Sequence, residues 1–154
     1  MATFLFTWTP ARGAWPDLRD RLMEIKKNGH CRERWGCAAT KKIRPGDRAF
    51  LIKLGAEPRG LMGSGWAASE VYEDQHWEAA KQAQGKMTRY VEVDWEVLLD
   101  PTINLFPRAW LASPIYAHVR WEPLASGLRI PDVIAQHLER DWATFLTHLY
   151  ETHG

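Results

Sequence analysis

The sequence contains only two cysteines in 154 residues, Cys31 and Cys37. Two cysteines are too few for a disulfide framework, and they lack the four-ligand spacing of a structural zinc site. No apolar run approaches the roughly 18 residues that a membrane-spanning helix needs. The first ten residues lack the basic segment and long apolar stretch of a secretory signal. We therefore expect a protein of the reducing cytoplasm with no membrane partner.

Motifs of the common enzyme classes are also missing. The six histidines form neither the H-E-x-x-H pair of zinc proteases nor an H-N-H nuclease arrangement, and there is no G-x-S-x-G nucleophile elbow. The glycines of segment 60–65 have neither dinucleotide-binding nor phosphate-loop spacing. His30 and Cys31 lie near Cys37 in the sequence, but a fourth metal ligand is absent. These absences predict no catalytic residues, no metal and no cofactor.

What is present is the composition of one globular domain, which we expect to span residues 1–154. Hydrophobic residues make up 45% of the chain and charged residues 25%, so a sizeable core can form. Apolar periodicity predicts strands over 3–8, 48–54, 89–99 and 115–121, and helices over 15–27 and from residue 131 onward. Glycines within 60–65 predict a bent strand, residues 76–82 a short helical turn, and residues 29–43 an irregular loop. Together these elements predict an α+β fold around a small curved sheet or barrel.

Tryptophan and charge are distributed unusually. The chain has nine tryptophans, and residues 1–60 carry 13 Lys or Arg against six Asp or Glu, whereas the remainder carries seven against 13. A basic half is typical of a surface that binds a polyanion; the alternative is that the two halves attract each other within the fold. Three tryptophans lie on regular strand or helix patterns and are expected in the core: Trp95, Trp121 and Trp142.

Trp35 stands out because basic residues surround it in the sequence. Its indole offers a stacking surface for a base, and neighbouring cations can bind phosphates. The alternative is that Trp35 is a core residue beneath a loop. The cations predicted to contact nucleic-acid phosphates are Arg32, Arg34, Lys41, Lys42, Arg44 and Arg59.

A longer pattern around this tryptophan resembles a known family. The run RWGCAATKKIRPGDRAFLIKLGAEPRGLMGSGWAASEVYEDQHW, followed by YVEVDW, resembles the EVE domain of the PUA-like superfamily and, more distantly, the YTH domains that read methylated adenine. The resemblance covers nearly the whole chain. It implies a β-barrel of five or six strands flanked by helices, with a pocket that receives one modified base flipped out of its stack.

The resemblance also implies an aromatic cage. Trp35 matches its first wall, Trp77 its second and Met87 an apolar third. The remaining implied base-binding residues are Gly36 and Cys37 through their backbones, Thr9 where YTH domains have an asparagine, Ser126 near a position that is acidic in YTH domains, and Trp66 within or behind the cage.

These observations predict a non-catalytic module that recognises a modified base in DNA, either methylated or hydroxymethylated cytosine or methylated adenine. The resemblance extends to EVE-type domains placed before HNH nuclease domains in modification-dependent restriction enzymes, so an associated nuclease domain outside this chain is expected. One alternative is an RNA-binding module that reads modified RNA. Another is a small nucleotide-binding enzyme, for which His76, Asp74 or His30 would have to supply the general acid or base.

Overall fold

The computed structural model describes residues 1–153. Its elements, in chain order, are β1 (Thr3–Trp8), α1 (Leu18–Asn28), β2 (Cys31–Gly36), β3 (Arg48–Lys53), β4 (Gly60–Ala67), β5 (Tyr72–Gln75), α2 (Ala79–Ala83), β6 (Met87–Leu98), β7 (Phe106–Pro107), two 3₁₀ turns (Arg108–Ala112 and Pro114–Tyr116), β8 (Leu128–Ile130) and α3 (Asp132–His153). No helix within these residues is long and apolar enough to cross a membrane.

The strands form one curved sheet in the order β2-β6-β4-β3-β1-β8, with short β5 on β6 and β7 on β4. β1 and β3 are parallel, whereas the other pairs are antiparallel. The hydrogen-bonded ladder is open, because β2 and β8 lie at its two ends. These ends nevertheless approach each other, since the Ala39 N–H donates to the Ser126 carbonyl at 3.1 Å. The predicted barrel is thus an open curved sheet.

The two long helices cover opposite faces of this sheet. α1 lies beside β2 and β6 and contributes partly buried Leu18, Leu22 and Ile25 to one core cluster. α3 contributes Leu138 and Trp142 to the other cluster. Both helices were predicted from their apolar spacing, and α1 ends as expected at Gly29, whose φ of 87° is left-handed. The α+β class is confirmed.

The glycine-rich strand β4 lies in the middle of the sheet. A Cβ on Gly65 would lie 2.1 Å from the carbonyl oxygen of Asp94 on β6. The register between β4 and β6 shifts next to this glycine, between Ser64 and Gly65. The predicted bend is therefore confirmed, and the close approach of the two backbones leaves no room for a side chain at residue 65.

Two sequence predictions about local structure were wrong. The expected loop over 29–43 contains β2, whose exposed arginines hide its alternation; Arg32 pairs directly with Asp94 on β6. The expected strand over 115–121 is a 3₁₀ turn followed by irregular chain. Tyr116 and Trp121 in this segment are buried, but the Trp121 indole donates to the Tyr116 carbonyl instead of the segment pairing with a strand.

The core tryptophans behave as predicted. Trp95, Trp121 and Trp142 are each at most 2% exposed. Trp142 on α3 donates its indole N–H to the Ser64 hydroxyl of β4 at 2.9 Å. This bond fixes the long helix to the centre of the sheet.

Candidate functional site

A cavity of about 460 Å³ opens where the two ends of the sheet approach each other. Its walls come from four parts of the chain. These are residues between 7 and 15 at and after the end of β1, residues 33–36 of β2 with residue 38, residues between 76 and 81 after β5, and residues 124–126 before β8. Two residues of β6, Thr88 and Tyr90, complete the lining. Its volume falls within the range of small-molecule sites.

Trp35 forms a fixed wall of this cavity. Its indole N–H donates to the Thr7 carbonyl at 2.9 Å. Its ring packs edge-on against Trp95 at 5.9 Å and against Trp15 at 4.9 Å between centroids. Trp35 is only partly buried, so it both supports the core and exposes surface to the cavity. Trp35 therefore combines the two features that the sequence offered as alternatives, packing in the core and an indole surface open to a ligand.

Trp77 lines the same cavity from the segment between β5 and α2. It is 45% exposed and stacks on His76 with 5.4 Å between ring centroids. A Cβ on Gly13 would lie 3.1 Å from the Trp77 ring, and one on Gly36 would lie 4.0 Å from its Nε1. Glycine at residue 13 therefore lets the indole lie close against the backbone. The Tyr90 hydroxyl, donating to the Gln75 carbonyl at 2.7 Å, anchors the segment that carries Trp77.

Two further tryptophans, Trp8 and Trp15, also line the cavity. Trp8 donates its indole N–H to the Gly13 carbonyl at 2.8 Å, and the two rings meet edge-on at 5.5 Å. The sequence assigned them no role, because Trp8 ends a predicted strand and Trp15 begins a predicted helix. Their sequence position fits core packing equally well, and no local pattern could have assigned them to the cavity.

Three predicted small residues also lie at the cavity: Gly36, Thr9 and Ser126. The carbonyl of Thr9 accepts the Arg12 N–H at 2.9 Å, which turns the chain after β1. The hydroxyl of Ser126 accepts the Thr7 N–H at 3.0 Å. Ser126 therefore joins the segment before β8 to the end of β1. The structure thus brings Trp35, Trp77, Gly36, Thr9 and Ser126 together, which are distant in the sequence.

Three other predicted base-binding residues lie outside the cavity. Met87 begins β6 and is 54% exposed, but its neighbour Thr88 lines the cavity, and successive strand side chains point to opposite faces. Cys37 is fully buried, and its N–H donates to the Arg89 carbonyl. Trp66 is on the α3 side, where its indole bonds Glu96 and the Arg48 guanidinium lies 4.5 Å from its ring.

Three cations line the cavity, and each pairs with a carboxylate of the chain: Arg12 and Lys81 with Glu78, and Arg34 with Asp74. Arg12, Arg34 and Lys81 line it, against one carboxylate, Glu33. Arg34 lies 3.8 Å from the centre of the Tyr90 ring and pairs with Asp74. Sequence reasoning missed Arg12 and Lys81 because neither belongs to the basic run around Trp35.

The remaining predicted cations lie outside the cavity lining. Arg32 pairs with Asp94, and Arg59 pairs with Glu57 and Glu122. The cations of the loop after β2 are exposed and form no ion pair within residues 1–153: Lys41, Lys42 and Arg44. This loop, which we call the basic loop (residues 38–47), begins at cavity residue Ala38. Its charges are therefore free to meet an anion.

Glu33 and His76 line the cavity, and the pKa of each is shifted from its ordinary value. Burial raises the pKa of Glu33, while Arg21, 3.6 Å away, opposes that effect. Burial lowers the pKa of His76, and its Nδ1 accepts the Glu78 N–H at 3.0 Å. His76 is consequently neutral at pH 7 and has one ring nitrogen already engaged.

The two cysteines lie in the core, not at the cavity. Both are fully buried, and burial raises the pKa of each thiol to about 11. Among the side chains of residues 1–152, no three His, Cys, Asp or Glu come together as metal ligands. Both thiols are protonated at neutral pH, the form that is a poor metal ligand.

Comparison with known proteins places the fold. No family model matches the sequence, and no curated protein does, but solved structures match. A hypothetical protein from Leishmania major superposes with a TM-score of 0.65 at 11% identity, over 91% of this chain and 93% of that one. Human THYN1 in complex with DNA containing 5-methylcytosine superposes with a TM-score of 0.58 at 12% identity, over 90% and 95%.

A third match is Rpa0253 from Rhodopseudomonas palustris, with a TM-score of 0.52 at 20% identity, over 88% of this chain and 89% of that one. At these identities the likeness concerns the fold alone. The chain has the α+β PUA-like fold of THYN1, which agrees with the fold expected from the sequence resemblance.

Proposed function

We propose that the chain is a non-catalytic module that binds a modified base of DNA, flipped into the cavity at the sheet ends. The observation that carries the proposal is the cavity itself, where Trp35 and Trp77 line one space bordered by three cations. A flipped base loses its stacking neighbours, and indole faces can replace them. Cations beside the cavity would hold the flanking phosphates.

The methyl group of a modified base gives the cavity a means of discrimination. Trp8, Trp15 and Trp35 form a contiguous aromatic wall, and burying one methyl group against such a wall is worth about 0.8 kcal/mol. THYN1, which shares the fold, has been solved with DNA that contains 5-methylcytosine. We therefore place 5-methylcytosine first among the candidate ligands, ahead of 5-hydroxymethylcytosine and N6-methyladenine.

The test is binding of the purified chain to duplexes that differ in one base only, at fixed salt. The panel contains cytosine, 5-methylcytosine, 5-hydroxymethylcytosine, adenine and N6-methyladenine, with matched RNA strands as a second arm. One modified duplex should bind more tightly than its unmodified partner. Equal, salt-sensitive binding to every duplex would reject modified-base recognition, and a preference for the matched RNA would favour the RNA-binding alternative.

We further propose that this module directs an associated nuclease domain to modified DNA, in modification-dependent restriction. The support is the sequence resemblance to EVE-type domains that precede HNH nucleases. Expression of the natural full-length gene should lower the plating efficiency of a phage whose DNA carries 5-hydroxymethylcytosine or 5-methylcytosine, and Trp77→Ala should restore it. Equal plating with and without the gene would reject the restriction role and leave base recognition to the duplex panel.

The enzyme alternative has one supporting observation, which is that His76 lines the cavity beside Trp77. A neutral imidazole with one free nitrogen can act as a general base. The alternative predicts turnover of a modified nucleoside or oligonucleotide that disappears in His76→Ala. Unchanged substrate after prolonged incubation with the wild-type protein would reject it.

A further inference from the structure

Leu124 is the most exposed large apolar side chain of the described residues, at 90%. It also lines the cavity. Among the exposed large apolar side chains of the described residues, only Leu124 and Trp77 line the cavity. A single exposed leucine elsewhere on a surface would be ordinary, but this one stands at the rim of the site.

The loop that presents Leu124 is fixed at both ends. On one side, Trp121 is buried and donates to the Tyr116 carbonyl at 3.0 Å. On the other side, the carbonyl of Ser126 accepts the Ala39 N–H at 3.1 Å, and the Gly127 N–H donates to the Leu5 carbonyl at 2.9 Å. Residues 122–125, which we call the rim loop, therefore form a short arch between fixed ends. Such an arch holds its apolar side chain in water instead of letting it collapse onto the core.

Gly127 sets the direction of this arch. Its φ of 95° is left-handed, and a Cβ there would lie 3.0 Å from the Cβ of buried Cys37. A residue with a side chain would be strained at this φ and would press on Cys37. The chain can thus turn sharply into β8 while residues 124–126 stay against the cavity.

Resting on the proposed function, we propose that Leu124 is a wedge that enters the base stack at the position vacated by the flipped base. Extruding a base leaves a gap between its neighbours, and apolar side chains such as leucine insert between base steps in other DNA-binding proteins. Leu124 is at the rim of the cavity that would receive that base. Arg12 and Lys81 line other segments of the same cavity, where both pair with Glu78.

The proposal separates two DNA forms. A wedge replaces lost stacking only in a duplex, where the gap is bounded by stacked pairs. The substitution Leu124→Ala should therefore weaken binding to a 5-methylcytosine duplex at least tenfold, and leave binding to the same single strand within twofold of wild type. Leu124→Met, which retains a long apolar side chain, should recover most of the duplex affinity. The control is Ile103→Ala, an exposed apolar residue outside the cavity, which should bind both forms as wild type does.

A second readout is base extrusion itself. With 2-aminopurine next to the 5-methylcytosine, the wild-type protein should raise its fluorescence on binding the duplex, and Leu124→Ala should raise it less at saturating protein. Placing a mismatch opposite the 5-methylcytosine lowers the cost of extrusion, so the defect of Leu124→Ala should shrink on that duplex.

Three results would overturn the wedge. Wild-type duplex affinity in Leu124→Ala would show that the side chain does not enter the stack. Equal losses on duplex and single strand would make Leu124 an ordinary wall of the cavity. If the wild-type protein binds modified and unmodified DNA equally in both forms, the proposed function fails and the wedge with it; discrimination by the wild-type protein together with wild-type duplex affinity in Leu124→Ala rejects the wedge alone.

Discussion

Replacing Trp77 by alanine separates a binding role from a structural one. Trp77 is 45% exposed and lies against Gly13, His76 and the Arg12 guanidinium, so its removal opens no core cavity. The loss of one stacking surface should cost about 1–3 kcal/mol of binding free energy, which is about a 5- to 150-fold rise in Kd. The free energy of unfolding should fall by only about 1 kcal/mol, the typical cost of a point substitution.

Trp35→Ala is predicted to behave differently, although Trp35 lines the same cavity. Its ring packs on Trp95 and Trp15, and its N–H holds the end of β1. A large aromatic residue replaced by alanine in such packing costs about 3–5 kcal/mol of stability. Loss of binding in Trp35→Ala could therefore reflect unfolding, whereas the same loss in Trp77→Ala could not.

The assay is fluorescence anisotropy with a labelled duplex carrying the preferred base of the panel and its unmodified twin. Urea denaturation of each variant accompanies it. Trp110→Ala is the matched control, because Trp110 is 52% exposed and lies outside the cavity. The ratio of the Kd for the unmodified duplex to the Kd for the modified duplex should fall toward one in Trp77→Ala and stay unchanged in Trp110→Ala. A folded Trp77→Ala that keeps the wild-type ratio would refute the assignment of Trp77 as a wall.

Three further predictions concern charge, protonation and packing. Lys41→Ala should weaken all duplexes alike and reduce the slope of log K against log salt by about 1, whereas Arg140→Ala on α3 should leave the slope unchanged; a base-selective loss would contradict a phosphate contact. Burial raises the pKa of Glu33 above its ordinary value of 4.5. As pH rises, the Glu33 carboxyl therefore loses its proton in the unfolded chain before it does so in the folded one. Wild type should consequently lose stability relative to Glu33→Gln between pH 4 and pH 7. Urea titrations at both pH values test this, and a relative gain for wild type would mean that the ion pair outweighs burial. Gly65→Ala should destabilise the fold by about 3 kcal/mol through overpacking, because its Cβ would lie 2.1 Å from the Asp94 carbonyl; a Tm equal to that of wild type would show that β4 and β6 can separate there.

Periodicity predicted most of the fold because the information is local. The apolar spacing of α3 and the alternation of β6 are visible within a dozen residues. β2 was missed since its exposed arginines are matched by carboxylates elsewhere in the chain, Asp94 and Asp74. In the sequence alone, those arginines are typical of a solvated loop. In the structure, their carboxylate partners allow the same residues to form a strand.

The site was predictable only in part, because the sequence does not show which side chains reach the cavity. Trp35 and Trp77 were identified through the resemblance, and the structure places both at the cavity. Met87 and Cys37 lie next to cavity residues in the sequence, but strand alternation and burial turn them away. A motif conveys positions along the chain, whereas access to a cavity depends on which side of the backbone each side chain takes.

The position of the cavity follows from one short strand. β8 pairs with β1 only over Thr3, Phe4 and Leu5, so the edge of β1 beyond Leu5 has no strand partner on that side. At Thr7 the Ser126 hydroxyl accepts the backbone N–H and the Trp35 indole donates to the carbonyl. Side chains of the site thus satisfy backbone groups that a longer strand would have paired. The walls are consequently held by the sheet itself before any ligand arrives, and such preorganisation lowers the cost of binding a ligand.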